Sequence, residues 1–504
     1  MFKRTLICLL ILTLPTVTLA DAIIPEHGKY STAYQSDWSK LPTGDITGKR
    51  DLSNIQFKEV IGEESRIKFA NQDTVHLKDI HYKLRWQNPT DKYNNTLIYI
   101  ANVKKVILEN IDVINLDPDY KAYHSILIEG ADEVIVRNCY FAGTVQSYHL
   151  RMEGCGDILI ENVEIAGVQY DNRPTHRLGG GIFINNGASG RGGINNTGLR
   201  AEHPRLPGWQ VIQNCYIHDN SQDDDHRRNQ DGILIHAPSH GLLFNTVVEN
   251  WLRPSGDSAF DLGFRRVEPE YQDRTFRVER NVIRNCTFLK TPGHGTGPNT
   301  LLLANNILIN CTIGDYHGGG GDNRYVHNTF IYDLNQAPEA LRGLAQRGSQ
   351  GFSCLWSFAG RTFYHNNLVY RPESKNFFMF YMNAQGDQRK YRQVYADNNV
   401  YAIAPLESAY LRSANDGLKL QTFADWQKDT AQDGASQLVE PAAVPFVSYT
   451  SGDFDLTHNP WPGVAPLHDK KVEGVLLDVY QDFNGTPRDK KHPTVGAFEA
   501  PVKR

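Results

Sequence analysis

Short apolar strings recur along the chain, among them Val106-Ile107-Leu108, Val134-Ile135-Val136 and Ile158-Leu159-Ile160. Each sits in a period-two alternation that marks a brief strand with one face inward. Helical periodicity is largely absent. A strand this short cannot close a core alone, but strands stacked coil on coil bury like residues on like and pair each backbone with the rung above and below.

An Asn follows these strings again and again, in Glu109-Asn110-Ile111, Arg137-Asn138-Cys139, Glu161-Asn162-Val163 and Gln213-Asn214-Cys215. It returns at Asn250, Asn285, Asn310, Asn328, Asn367 and Asn399. The recurrence predicts one column of amides at a tight bend, each bonding along the stack, with the next residue pointing inward. The pattern predicts an N-terminal cap with early rungs over 21–95, coils over 96–403, and C-terminal rungs with a cap over 404–504. Open stack ends expose strand edges, which is why caps are expected. Ala424-Asp425-Trp426-Gln427 reads as a short helix in the last of these.

Aligning the strand that opens each repeat places Ile126, Leu150, Ile182, Ile233, Ala259 and Leu301 in one buried column. The second, fourth and sixth columns then face outward. They carry His149, Arg151, Glu129, Glu153, Asn185 and His236 on one surface. Inserts 169–180, 186–210, 221–230 and 265–277 gather beside it, as binding-face loops of repeat proteins do.

This repeat resembles the pectate-lyase-like superfamily of carbohydrate-active enzymes over residues 96–403. The resemblance implies an all-β, single-stranded right-handed parallel β-helix with terminal caps. The phrase Asp482-Phe483-Asn484-Gly485-Thr486-Pro487-Arg488, with Val495-Gly496-Ala497-Phe498-Glu499, is similar to the last segment of many bacterial polysaccharide lyases. The superfamily also holds hydrolases, epimerases and phage tailspikes, so the fold does not choose the chemistry.

Residues 1–20 combine Lys3 and Arg4 with a short apolar run and Thr18-Leu19-Ala20, a secretory signal that predicts a secreted or periplasmic protein. Its removal takes the formal charge from -5 to about -7, two basic residues fewer. No basic face for nucleic acid and no span for membrane insertion is visible, and the chain reads as a monomer. Removal also takes Cys8, leaving six of seven cysteines, four of them in the Asn repeat. They read as small buried hydrophobes in a ladder, with disulfide bridges the alternative.

Two constellations carry candidate chemistry. In the first, Arg151 pairs a uronate, His149 or His236 takes its C5 proton, and Glu129, Glu153 and Asn185 hold Ca²⁺ through oxygens. The alternative is a solvated ladder in which Arg151 pairs with Glu129 and Glu153. In the second, Asn229-Gln230-Asp231, Gly256-Asp257-Ser258 and Gly293-His294-Gly295 resemble the set of polygalacturonase-type glycosidases, which implies acid–base roles for Asp231 and Asp257. Ser258 replaces the second Asp of that set, and no Arg-x-Lys follows; the same aspartates also suit turn caps. Asp225, Arg228, Arg265, Lys290 and His294 are candidate substrate contacts at the same edge. These residues predict an enzyme that cuts an acidic, uronate-containing polysaccharide by β-elimination. A glycoside hydrolase and a non-catalytic glycan-binding β-helix are the alternatives, with a C5-epimerase behind them.

Overall fold

The computed structural model describes residues 49–86, 95–116, 122–143, 145, 147–167, 179–185, 209–221, 231–236, 241–252, 259–263, 275–291, 300–315, 322–337, 341–342, 352–357, 361–372, 377–382, 394–404, 411–413, 419–461, 471–472, 475–477 and 479–500. Among them the chain is all-β apart from short helical turns and the helix Phe423–Thr430. Twenty-eight strands form one continuous sheet, and its pairings are parallel except the closing pair of 411–413 with 419–421.

Register shows how the chain is wound. In the strand Ile67–Arg85, positions 67–70, 74–78 and 80–84 pair with 98–101, 105–109 and 111–115 of the next coil. Each coil thus contributes to three walls, here called first, second and third. The bends between walls two and three are residues in the left-handed region, φ 51 to 57°, over eleven successive coils: Asp79, Asn110, Asn138, Asn162, Asn214, Asn245, Arg280, Asn305, His327, Asn366 and Asn398. Asn dominates because its short polar side chain tolerates this conformation and bonds locally.

The residue after each bend points inward. In the early coils it is Ile111, Cys139, Val163 and Cys215, all fully buried. From Thr246 the same position turns polar and becomes a ladder of five asparagines. The amide oxygens of Asn281, Asn306, Asn328, Asn367 and Asn399 accept from the backbone N–H of the rung before, at 2.9 to 3.0 Å. Their Nδ2 groups donate to Leu243, Val278, Leu303, Tyr325 and Tyr364 carbonyls at 2.8 to 3.0 Å. The ladder ends where Asn399 N–H donates to Ser436 Oγ at 2.8 Å. There Asp433 accepts from Trp426 Nε1, Tyr401 Oη, Asn399 Nδ2 and Ser436 Oγ, seating the helix over the end of the core.

The single Asn column of the repeat therefore resolves into three. Asn110, Asn138, Asn162 and Asn214 are bend residues, and Asn328, Asn367 and Asn399 are interior ladder members. Asn250, Asn285 and Asn310 occupy a second left-handed bend that closes the third wall, chained to Asp219 and each other at 2.9 to 3.3 Å. Cys139, Cys155, Cys215, Cys286 and Cys311 are buried thiols.

Two chain segments cover the third wall. Arg50 reaches Asp112 at 3.1 Å over the early coils. Phe454, Phe483, Ala497 and Phe498 of the C-terminal segment pack on Tyr216, Val247, Val282, Ile307 and Ile331 over the later ones.

Asn328→Ala strips a buried N–H and a buried C=O of their partners, each worth about 1–3 kcal/mol. Denaturant unfolding is expected to show a loss of roughly 2–5 kcal/mol. Arg137→Ala, which breaks only an exposed 3.1 Å pair with Glu109, costs under about 1 kcal/mol.

Candidate active site on the first wall

The first wall builds its columns from residues far apart in sequence. Ile126, Leu150, Ile182 and Ile233 are in register and fully buried. The next rung enters one residue later than the sequence alignment expects, since Ile233 pairs with Phe260 and not Ala259. Leu301 belongs to the second wall, opposite Phe276. Both corrections have one cause: apolar character is satisfied by either Ala259 or Phe260, and by any inward column, so composition alone does not fix register.

Two outer columns run side by side. One holds Leu127, Arg151, Phe183, Leu234 and Asp261. The other holds Glu129, Glu153, Asn185 and His236. Adjacent members lie about 4.8 Å apart along the stack.

Phe183 is the hub. Its ring centroid lies 5.0 Å from that of Tyr148 and 5.2 Å from that of His236, and the Arg151 guanidinium stands over it at 5.0 Å. Arg151 is one-fifth exposed, its Nε donates to Glu153 Oε1 at 2.6 Å, and Nη1 reaches Ser147 Oγ at 3.4 Å. Glu129 accepts from Tyr99 Oη at 2.7 Å. Asn185 is buried, and among the described residues its Oδ1 has no hydrogen-bond partner. Among the described residues no group of three or more His, Cys, Asp or Glu is arranged to hold a metal. The oxygen set Glu129, Glu153 and Asn185 is of a different kind, and its orphaned Asn185 Oδ1 suits a hard cation.

Tyr148 is a site residue the sequence reading missed. It shares a column with Gly180 and Asp231, and its side chain passes over Gly180 so that its hydroxyl accepts from Asp231 N–H at 3.4 Å. Only glycine permits this path, because a Cβ at position 180 would sit 2.1 Å from the Tyr148 ring. The Tyr-Gly-Asp succession in one aligned column was the available signal. Burial, then the carboxylates of Asp231 and Asp261, push the Tyr148 phenol well above its ordinary value, so it is held as a proton donor. Asp231 itself is buried.

His149 is not on the outer surface. It is buried near the start of the strand Tyr148–Glu153, its Nδ1 at 3.0 Å from Ser125 Oγ and its Nε2 at 3.1 Å from the Gly143 carbonyl, beside Phe141. Alternation fails at this strand start, where His149 and Leu150 are both buried, so the second column faces inward. Burial pulls its pKa down to about 4. Asp225, Arg228, Asp257, Arg265 and His294 lie outside the described residues. Lys290 is placed by register alone, opposite Asp261.

A second ionisable cluster lies on the covered third wall. His218 contacts Glu164 at 3.1 Å and Asp219 at 2.8 Å and stacks on Tyr216 at 3.8 Å, while His81 meets Asp112 at 2.7 Å. Burial opposes the His218 charge, but Asp219 and Glu164 outweigh it and raise its pKa to about 9. The bonds are mutual and lie between the two covering segments, which makes this cluster a structural tie.

No family model matches the chain, and no curated protein does. Among solved structures it is similar to a mannuronic acid specific polysaccharide family 6 lyase from human gut microbiota, at 11% identity over 79% of this chain and 90% of that one, TM-score 0.28. It is also similar to the catalytic unit of a thermostable GH87 α-1,3-glucanase from Streptomyces thermodiastaticus strain HF3-3, at 9% identity over 80% of this chain and 68% of that one, TM-score 0.18. Likenesses this distant carry no assignment of activity.

The two histidines bracket stability from opposite sides. His149 titrates lower folded than unfolded, so its contribution is lost as pH falls from about 6.5 towards 4. His218 titrates higher folded, so its contribution is whole below about 6.5 and lost as pH rises through 9. Thermal melts from pH 4 to 10 are expected to fall at both ends, with His218→Gln flattening only the alkaline limb.

Proposed function

We propose that the protein is a polysaccharide lyase that cuts an acidic, uronate-containing chain by β-elimination on the first wall. One observation carries this reading: a guanidinium, an imidazole and a protonated phenol surround the single ring of Phe183. Elimination calls for those three chemistries together, a cation for the sugar acid, a base for the C5 proton and an acid for the departing oxygen.

In this reading Arg151 pairs the uronate carboxylate, which makes the C5 proton more acidic. His236 accepts that proton. The electron pair forms the C4–C5 double bond as the bond from C4 to the bridging oxygen breaks, and Tyr148 protonates the oxygen. Exchange with solvent returns the proton from His236 to Tyr148. Glu153 holds Arg151 in place, and Phe183 braces it from the ring face. Glu129, Glu153 and Asn185 would hold calcium, whose charge would supplement Arg151 at the sugar acid.

A hydrolase is the second reading, with Asp231 as one of its carboxylates; it is buried on the first wall, its backbone N–H donating to Tyr148 Oη at 3.4 Å. Product masses separate the two, because hydrolysis adds one water and elimination adds none. Incubation with acidic polysaccharides is expected to give unsaturated, ultraviolet-absorbing ends. His236→Ala and Arg151→Ala are each expected to lower kcat/KM by about 10²–10⁴-fold. A chelator is expected to reduce the rate and added Ca²⁺ to restore it. New reducing ends without ultraviolet absorbance would reject elimination.

A further inference from the structure

The column of left-handed bends holds three residues that are not asparagine: Asp79, Arg280 and His327. The last two are both met by the C-terminal segment. Arg280 Nη2 donates to Gln481 Oε1 at 2.6 Å, and His327 Nδ1 lies 3.1 Å from the Thr494 carbonyl. The same segment holds the bends on either side of His327. Asn305 Nδ2 donates to the Gln481 carbonyl at 2.7 Å, and Gly496 N–H donates to the Asn366 carbonyl at 2.9 Å. Residues 479–500 also lay Phe483, Ala497 and Phe498 on the later coils of the third wall. They form a clasp over the bend column, and His327 stands beneath it.

The neighbours of His327 set its protonation state. A carbonyl only accepts, so Nδ1 carries the proton towards Thr494, and Nε2, 3.3 Å from Asn366 Nδ2, is the acceptor. The ring is therefore neutral in the closed clasp. Arg488 Nη1 donates to the same Thr494 carbonyl at 3.1 Å, while its Nη2 reaches Asn305 Oδ1 at 2.7 Å. Two donors thus converge on one oxygen, and all three residues are buried. A proton added at Nε2 would meet the Asn366 donor and set a second cation beside Arg488, where little water screens it. Glu499, 3.2 Å from Arg488, balances one of these charges only. Of the other charged groups around the pair, His365 on the next rung opposes a charge on His327, while Asp482 and Arg280 act on Arg488. Burial, then Arg488, outweigh the Thr494 and Gly496 carbonyls and hold the imidazole well below its ordinary value.

We propose that His327 is a proton-operated latch: its neutral ring pins residues 479–500 across the bends, and its protonation releases them from the third wall. The released ring takes a proton more readily than the closed one. The hold is therefore whole above about pH 6.5 and is lost as pH falls below that value. Release uncovers Val247, Val282, Ile307 and Ile331 and leaves the first wall in place. Asp482 and Glu499 are held above their ordinary values, chiefly by burial, so they take up protons in the closed state and oppose release. A comparison that changes only residue 327 cancels their share.

The test is amide hydrogen exchange on the full chain between pH 7 and 4.5, corrected for the intrinsic rate, in wild type and in His327→Asn, which restores the usual residue of the column. The ratio of clasp opening in wild type to that in the variant is expected to rise about tenfold for each pH unit below about 6.5. The excess is expected in peptides from 479–500, with those from the strand Thr96–Asn115 unchanged. Exchange at the histidine C2 position follows the titration of His327 in the wild type without any substitution, and it is expected to track the opening. A ratio that does not change with pH, an excess spread over all coils, or a His327 that titrates without the clasp opening would overturn the latch.

Discussion

Parallel register is the constraint on which the rest of this molecule depends. A coil of three short strands has no closed core of its own, and its side chains find partners only if the next coil repeats the same columns. The asparagine ladder enforces that repetition from within. Asn281, Asn306, Asn328, Asn367 and Asn399 each tie a backbone N–H of the preceding rung to a carbonyl further back, so a slip of one residue would leave several buried groups unpaired at once. In the early coils the same position is filled by Ile111, Cys139, Val163 and Cys215, where packing and not hydrogen bonding holds the register.

Register also makes the site. Tyr148, Arg151, Phe183 and His236 come from three strands separated by long inserts, yet they meet around one ring because their rungs are consecutive. Gly180 shows how finely this is set, since a single Cβ there would block the reach of Tyr148 to Asp231. The third wall, by contrast, is closed by Arg50 at one end and by the C-terminal aromatics at the other. Its histidine–carboxylate pairs tie the wrapping, and the first wall is the face on which the proposed site lies.

The sequence made the coils legible because strands this short must repeat to be stable. It also gave the column Glu129, Glu153, Asn185 and His236, where four aligned strings begin without ambiguity. It failed where periodicity lapses. His149 lies at the start of the strand Tyr148–Glu153, where alternation lapses, so alternation assigned it to the wrong side. Ala259 and Phe260 are both apolar, so nothing local fixed the entry of that rung. The three Asn columns looked like one because the same amide serves a left-handed bend and an interior ladder. Tyr148 escaped because its role depends on an absence, the missing side chain of Gly180. Arg50 meets Asp112 only through the folding of a terminal segment across the early coils, and no local pattern announces that.

The central claim is that residues from separate coils act as one centre. A double-mutant cycle on Arg151→Ala and His236→Ala tests it most directly, read as kcat/KM on an acidic polysaccharide. The account predicts strong coupling, with the double variant losing little more than the worse single variant. Losses that multiply independently, or single changes without effect on turnover, would contradict it.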